Sequence, residues 1–176
     1  MLELCSLHSR TGVGATGEYL SSDIDRQVGL GVRGLAHLVA RHAVTDAQFG
    51  RALQCVNNHG SIVTRAEHLA SELRYGIEAA AEVARANNMA RAFCIAPTAS
   101  CSYRSKTLDG FTSTPEIAPP ISRTVDRDSG TFGVQTYEYG QVEIASEVGW
   151  DAYKRVADQI MIMYEKTGLL HGYSFN

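Results

Sequence analysis

The pattern of apolar and polar residues predicts helices that begin at two capping boxes. Thr45 with Gln48 is one such pair, and Thr64 with Glu67 is the other. In a capping box, the N-cap hydroxyl accepts a hydrogen bond from the backbone three residues later, and the side chain there accepts one in return. The predicted helix ends are near Asn57 for the first helix and at Asn87–Asn88 for the second.

Apolar stripes at helical spacing extend this prediction to further segments. One stripe belongs to the long helix after Thr64, and the other two predict helices of their own. The stripes are Val32, Leu35, Ala36 and Val39, with a break near Ala43; Leu69, Leu73, Ile77, Ala80 and Ala84; and Tyr153, Val156, Ala157, Ile160, Met163 and Tyr164, with a stop at Gly168.

Short strands are predicted between the helices. Alternation in LELCSL, residues 2–7, predicts a strand partly buried on both faces, followed by a glycine-containing loop from Ser9 to Asp23. RAFCIA, residues 91–96, predicts a buried strand that Pro97 ends. Weaker strand patterns are PPISRTV, VQTYEY and LLHGYSFN. Because helices and strands alternate, the sequence predicts an α/β fold.

Composition favours one globular domain over residues 1–176, with a formal net charge of -3 and no run of Lys or Arg. We therefore expect no direct binding to DNA. The N-terminal segment lacks a signal-peptide pattern and no apolar run reaches membrane-spanning length, so we expect a cytoplasmic protein without membrane contact. Four widely spaced cysteines, Cys5, Cys55, Cys94 and Cys101, are expected to be reduced thiols.

The segment PTASCS, directly after the predicted strand RAFCIA, has two interpretations. Small residues and hydroxyl groups at a strand end can form a cup of N–H and O–H donors for a phosphate, with Thr98, Ser100 and Ser102 adding hydroxyls. The same residues also serve as an ordinary helix N-cap. The lysine of a P-loop is absent. The residues alone leave both interpretations open, and the N-cap is the more common one.

The sequence contains three other candidate features, and for each we favour a structural role over a functional one. Gly29, Gly31 and Gly34 have the spacing of a dinucleotide-binding turn, but the polar segment SSDIDRQV before them predicts no strand, so we predict a tight entry into a helix. Glu116, between prolines, either points at a site or fixes a turn, and we favour the turn. The six histidines form no zinc-ligand pattern, so we predict no metal site.

Four motifs in order, LELCSL, GLGVRGLAHL, AFCIAPTASCS and TPEIAPP, resemble the second half of the catalytic barrel of a ribonucleotide reductase large subunit. The sequences of the last two motifs are most similar to those of the adenosylcobalamin-dependent bacterial and phage enzymes. The resemblance covers nearly the whole chain. It implies part of a ten-stranded α/β barrel in which a thiyl radical abstracts the 3′ hydrogen of a ribose and two further cysteines supply the electrons that remove the 2′ hydroxyl.

The resemblance also implies roles for individual residues. Cys5 corresponds to one cysteine of the reducing pair. The loop that would bind the phosphates of a ribonucleoside di- or triphosphate comprises Thr98, Ala99, Ser100, Cys101 and Ser102. The implied cofactor is adenosylcobalamin, or a radical-generating metal subunit in the other classes, and the implied electron donor is an external dithiol such as thioredoxin. Glu116 is expected to support the wall of the active site.

The chain departs from this family in three respects. None of its cysteines lies in the Asn-x-Cys-x-Glu pattern of the radical loop, and the first half of the barrel and the cysteine-rich tail have no counterpart. We therefore expect a fragment, a split-gene product or a decayed remnant, inactive without the remaining part of the catalytic subunit. The alternatives are a noncatalytic nucleotide- or phosphate-binding module and a purely structural α/β domain.

Overall fold

The computed structural model describes residues 1–11 and 21–174, which form a mixed α/β fold. The helices are α1 (Leu2–Arg10), α2 (Leu35–Arg41), α3 (Asp46–Asn57), α4 (Arg65–Ala86), α5 (Ala99–Tyr103), α6 (Ala145–Val148) and α7 (Trp150–Lys166). The strands are β1 (Gln27–Leu30), β2 (Arg91–Ile95), β3 (Thr124–Asp128), β4 (Val134–Glu138) and β5 (Leu170–Tyr173).

The main sheet of the described residues is parallel, with strand order β1-β2-β5. Helical segments connect its strands, with α2, α3 and α4 before β2 and α5, α6 and α7 before β5. Strands β3 and β4 form a separate antiparallel hairpin. The described strands therefore make an open sheet and a hairpin rather than a closed barrel.

The core lies between the sheet and the helices α3, α4 and α7, which pack against one another. Phe93 of β2 stacks on Tyr164 of α7, with ring centroids 4.6 Å apart and planes within 9°. Both side chains are fully buried, and each burial of this kind contributes roughly 1.5–3 kcal/mol. This pair fixes α7 against the central strand.

The predicted helix starts and ends are confirmed. Both capping boxes form, with Thr45 Oγ1 accepting from Gln48 N at 3.2 Å and Thr64 Oγ1 accepting from Glu67 N at 3.2 Å. Helix α3 ends at Asn57, and α4 ends at Ala86 with Asn87 as its C-cap. Gly168 follows α7 with a φ of 74°, as expected for a helix stop. No described helix has the length and apolar character needed to cross a membrane.

The strand predicted at LELCSL is wrong, because residues 2–10 form helix α1. Met1, Leu4 and Cys5 face the core, and this spacing is helical, whereas Leu2 and Leu7 are exposed. A short apolar run fits both periodicities, and packing against α4 and β1 decides in favour of the helix. The loop predicted from Ser9 to Asp23 lies mostly in residues 12–20, outside the described residues, and Ser9 and Arg10 belong to α1.

A strand that begins in the polar segment 21–28 was also not predicted from the sequence. Strand β1 begins at Gln27 and pairs in parallel with β2, and Val28 is its buried residue. An edge strand needs few apolar residues because its backbone pairs on one side only, so its pattern is weak. The strand at PPISRTV is only partly correct, since β3 begins at Thr124, after the prolines, which cannot donate to a strand ladder. The strands predicted at RAFCIA, VQTYEY and LLHGYSFN are confirmed as β2, β4 and β5.

Candidate functional site

The segment from Pro97 to Ser102, here called the tip, follows the carboxyl end of the central strand β2. Thr98 is the N-cap of α5 and has φ 50° and ψ 21°, in the left-handed region. Ile117, in the segment that contacts the tip, has φ 58°. β-Branched residues rarely adopt positive φ, and each such residue costs on the order of 1–3 kcal/mol. The tip is therefore held in a conformation that its own sequence does not favour.

The carboxylate of Glu116 is one of the groups that hold the tip. Its Oε2 accepts a hydrogen bond from Ala96 N at 2.7 Å. The carboxylate lies against Gly31, where a Cβ atom would be 2.2 Å from Glu116 Oε1. The backbone N–H of Glu116 also donates to Thr98 Oγ1 at 2.9 Å. Glu116 thus joins the carboxyl ends of β1 and β2 to the tip.

Arg33 supports the tip from the other side. Its backbone forms an isolated antiparallel bridge with Glu116, and its guanidinium donates to the Cys101 carbonyl oxygen at 3.0 Å. The guanidinium is exposed and keeps further donors beyond this bond. Because helix carbonyl groups point toward the C-terminal end, this positive group contacts α5 on its C-terminal side.

The hydroxyl groups of the tip differ in what they can offer to a ligand. Ser102 is fully buried and donates to the Ala99 carbonyl oxygen at 2.6 Å, so its hydroxyl is used inside the protein. Thr98 Oγ1 accepts from Glu116 N and retains its own proton for donation. Ser100 and Cys101 are exposed. An incoming anion would meet the N–H groups at the start of α5, which lack intrahelical acceptors, and the Ser100 hydroxyl.

The hairpin β3–β4 packs against α5. The ring centroids of Tyr103 and Tyr137 are 4.2 Å apart, and the Arg127 guanidinium lies 5.0 Å from the centroid of the Tyr103 ring. Burial raises the pKa of the Tyr139 phenol, and a hydrogen bond with Ser102 opposes this shift. The hairpin therefore supports α5 and adds a second positive group on this side of the molecule.

Burial also controls the electrostatics at the end of the sheet. It raises the pKa of Glu116, while the hydrogen bond from Ala96 and the charge of Arg33 act in the opposite direction. Burial raises the pKa of the Cys94 thiol, and the nearby Glu116 charge adds to the shift. Tyr164, which is buried close to both groups, has its pKa raised as well. This environment favours a protonated Cys94 rather than a reactive thiolate.

The structure places Cys5 in the core rather than at an exposed surface. Cys5 is the buried residue of α1, with an exposed fraction of 0%, and α1 packs mainly against α4 and β1. The end of α1 is fixed near the start of β1, where the His8 ring contacts the Asp25 carbonyl oxygen at 2.6 Å. No hydrogen bond joins Cys5 to residues 98–102 within the part of the chain that the structure describes. The thiol is enclosed in the apolar core in this arrangement.

The glycine-rich turn is confirmed as a tight entry into α2. Gly34 is the N-cap, with φ 81°. The position at which a dinucleotide-binding turn would admit a pyrophosphate is Gly31, and the Glu116 carboxylate occupies that space. An anion cannot approach Gly31 closely while this carboxylate is charged.

The sequence located the tip but not Arg33, and it predicted a structural role for Glu116, fixing a turn or supporting the wall of the site, without indicating its contact with Ala96 N. A usable signal was present, because the carboxyl ends of adjacent parallel strands meet at one edge of a sheet. Recognition of β1 would have placed Arg33, which follows that strand, beside the residues after β2. Because strand β1 was not predicted, the position of Arg33 near the tip was not predicted either.

The comparisons with known proteins do not identify the chain: no protein-family model matches it, and no curated protein is significantly similar to it. No three His, Cys, Asp or Glu residues within 1–11 and 21–174 lie close enough together to hold a metal ion. The geometry of the tip and the resemblance of the sequence motifs are therefore the basis for a functional proposal.

Replacing Thr98 with valine is expected to lower the free energy of unfolding by about 1–2 kcal/mol. The substitution keeps the branched shape and removes the oxygen that accepts from Glu116 N, so a partly buried N–H group loses its partner. Urea denaturation of both proteins measures the effect. Thr124→Val, on the exposed strand β3, is the matched control and should change stability by less than about 0.5 kcal/mol. Equal effects at both positions would contradict the role of the Thr98 oxygen.

Proposed function

We propose that the chain is part of the catalytic barrel of a ribonucleotide reductase and that its tip binds the phosphates of a ribonucleoside di- or triphosphate. The observation that carries the proposal is the tip itself. It lies at the carboxyl end of a central parallel strand, where ligands of α/β proteins bind, and Glu116 and Arg33 hold it in a strained conformation. Strain of this kind is commonly retained at binding sites.

The sheet order supports the barrel part of the proposal. Parallel strands connected by helical segments are the repeating unit of an α/β barrel, and β1, β2 and β5 follow this pattern, with the hairpin β3–β4 inserted in the connection between β2 and β5. Gly29, Cys94 and Gly172 lie side by side across the three strands, on the face opposite Phe93 and Ile95. Cys94 is only half-buried, whereas Phe93 and Ile95 are fully buried against the helices. The less covered face would form the inside of the barrel.

Under this proposal, the tip contributes backbone N–H groups from Ala99, Ser100 and Cys101 and the Thr98 and Ser100 hydroxyls to phosphate binding. Ser102 stabilises the loop through its buried hydroxyl. The exposed Arg33 guanidinium, which keeps N–H donors beyond its bond to the Cys101 carbonyl oxygen, would supply a positive charge for the phosphate groups. Backbone N–H groups would therefore make most of the contacts with phosphate. Each single side-chain substitution in the tip should weaken phosphate binding only slightly.

Cys5 would supply one thiol of the reducing pair. In each turnover, two thiols give two electrons and two protons and become a disulfide, the 2′ hydroxyl leaves as water, and an external dithiol such as thioredoxin reduces the disulfide. Because Cys5 is fully buried, this role requires α1 to open or to repack when the complementing segment binds. No residue of this chain is assigned to adenosylcobalamin, because the family's radical is formed on the Asn-x-Cys-x-Glu loop of the complementing segment.

The test is complementation of the full chain with a segment that supplies the Asn-x-Cys-x-Glu loop. Deoxynucleotide formation is assayed with adenosylcobalamin, a ribonucleotide and a dithiol. Activity is expected only from the combined segments, and Cys5→Ser should reduce dithiol-dependent turnover to background, on the order of 10³-fold or more for loss of an essential group. Cys55→Ser is the matched control and should retain activity. Full activity of the Cys5→Ser variant would contradict the reductive role.

The alternative function is a noncatalytic phosphate-binding module, which the enclosure of Cys5 favours. This alternative predicts nucleotide binding at the tip by the isolated chain and no deoxynucleotide formation after complementation. Binding that is lost with tip substitutions, together with inactivity of every combination, would select it over the reductase.

A further inference from the structure

His37 of α2 lies between the two segments that support the tip. Its ring is half-buried and contacts Tyr139, directly after β4, and Thr114, two residues before Glu116. Tyr139 is 3% exposed and Thr114 is fully buried. The ring therefore joins helix α2 both to the hairpin β3–β4 and to the segment that carries Glu116.

The partners of the His37 ring require one tautomer of neutral histidine. The Tyr139 carbonyl oxygen, 2.8 Å from Nε2, can only accept a hydrogen bond, so Nε2 carries the hydrogen. The Thr114 N–H donates to Nδ1 at 3.4 Å, so Nδ1 must keep its lone pair. A protonated ring has a hydrogen on both nitrogens and cannot accept a hydrogen bond from Thr114 N.

Both contacts of the ring connect it to the tip. The Thr114 segment continues to Glu116, whose backbone N–H donates to Thr98 Oγ1. On the hairpin side, a hydrogen bond joins the Tyr139 side chain to Ser102 of α5. The bond to the Tyr139 carbonyl oxygen holds the ring in place, so a proton on Nδ1 would face the Thr114 N–H directly. The buried Thr114 N–H would then lose its acceptor, which is unfavourable.

The surroundings of the ring favour its neutral form. Burial lowers the pKa of His37, whereas the hydrogen bond to the Tyr139 carbonyl oxygen and the charge of Asp109 act in the opposite direction. Among the described residues that line the pocket around the ring, the other titratable groups are Asp109, Arg41 and the Tyr139 phenol. The stability that the neutral ring contributes is complete above about pH 6.5 and is lost as pH falls through the folded-state pKa.

We propose that His37 is a positioning residue for the tip: its neutral ring fixes segment 112–116, and a proton from solvent that adds to Nδ1 releases this segment and loosens the hold of Glu116 on the tip. The coupling between ring and tip depends only on contacts within the folded chain. Its consequence, that acid weakens phosphate binding, rests on the proposed function. Charge alone predicts the opposite, since a protonated histidine adds positive charge and would attract an anion.

The test is a pH titration of the ¹³C,¹⁵N-labelled full chain by NMR, from about pH 8 to about pH 5. The amide signals of Ala99, Ser100 and Glu116 should change with the same midpoint as the His37 ring signals. His37→Gln should abolish this transition, because its side chain does not titrate. His68→Gln, at an exposed position on α4, is the matched control and should retain the transition.

Two results of this titration would overturn the proposal. One is a tip whose amide signals stay fixed while the His37 ring takes up its proton, which is observed in the unsubstituted chain and does not depend on how the variants fold. The other is a transition that survives in His37→Gln with the same midpoint, since another group such as Glu116 would then cause it.

Sulfate binding separates the positioning role of His37 from the proposed function. Sulfate remains a dianion over this pH range, so its own titration does not contribute. Its affinity for the tip should fall about 10-fold from about pH 7.5 to about pH 5.5, as when about one-tenth of the chains keep a competent tip. In His37→Gln the affinity should change less than about 2-fold.

The outcomes of the sulfate experiment distinguish the two proposals. An affinity of the unsubstituted chain that rises as pH falls would overturn the positioning role and leave the tip as an anion site. Absence of sulfate binding at every pH, with tip signals that still follow the His37 ring, would support the positioning role and contradict the phosphate-binding function.

Discussion

Replacing Gly31 with alanine is expected to lower the free energy of unfolding by about 3 kcal/mol. The new Cβ would lie 2.2–2.4 Å from all three atoms of the Glu116 carboxyl group, so the carboxylate must leave its position. Ala96 N then loses its charged acceptor, which costs about 1–3 kcal/mol, and the crowding adds about 1–3 kcal/mol. Urea denaturation measures the loss.

A double-mutant cycle tests whether the effect passes through Glu116. In a Glu116→Ala background the same alanine at Gly31 meets no carboxylate, so its cost should fall below about 1 kcal/mol. Gly76→Ala is the matched control, because a Cβ there has no neighbour within 4 Å, and it should be neutral or stabilising by up to about 1 kcal/mol in the middle of α4. A cost at Gly31 that persists without Glu116 would show that the backbone, not the carboxylate, requires glycine.

Replacing Asp46 with asparagine is expected to stabilise the protein by about 2 kcal/mol near pH 8 and not near pH 4. Asp46 is 3% exposed at the start of α3, and burial together with the nearby Glu143 raises its pKa from 3.8 to about 6. Its Oδ1 has no partner among the described residues, and its N–H donates to Glu143 Oε2 at 2.7 Å. The charged form is therefore disfavoured in the folded state.

The sign of the pH dependence follows from proton binding. The folded state holds the proton more tightly than the unfolded state, so stability is highest below about pH 4 and falls as pH rises through about 6. A rise of the Asp46 pKa from 3.8 to about 6 corresponds to roughly 3 kcal/mol, and loss of the favourable charge near the helix start reduces the gain by up to about 1 kcal/mol.

The measurement for Asp46→Asn is the difference in unfolding free energy between variant and parent across this pH range. Groups that do not interact with Asp46 titrate equally in both proteins and cancel. Asp151→Asn is the matched control, because Asp151 also lies in the first turn of a helix but is exposed, and it should show no such difference. A variant whose stability parallels the parent at every pH would place the Asp46 pKa near its ordinary value.

The sequence predicted the elements that local rules determine. Capping boxes fixed the starts of α3 and α4 because their hydrogen bonds involve only residues three apart. Strand β2 was recognisable because it is a short apolar run with three buried residues that ends at a proline. Helix α1 and strand β1 were not, because one is short enough to fit either periodicity and the other is a polar edge strand whose partner is distant in sequence.

The same distinction applies to the candidate site. The tip was predictable from a proline and small residues after a strong strand, whereas its supports Arg33 and Glu116 come from distant parts of the chain. The left-handed conformations of Thr98 and Ile117 oppose the preference of β-branched residues, so no local rule predicts them. Tertiary contacts impose these conformations.

Because Glu116 and Arg33 reach the tip from separate segments, the tip acquires its shape only when those segments have docked. Before that, the residues around Thr98 would relax to extended or right-handed backbone. A ligand that recognises the tip therefore binds the native chain in preference to a partly folded one and raises the melting temperature, by an amount that grows with the logarithm of the ratio of ligand concentration to Kd. Occupancy of the tip would thus report completed folding of the sheet's carboxyl edge.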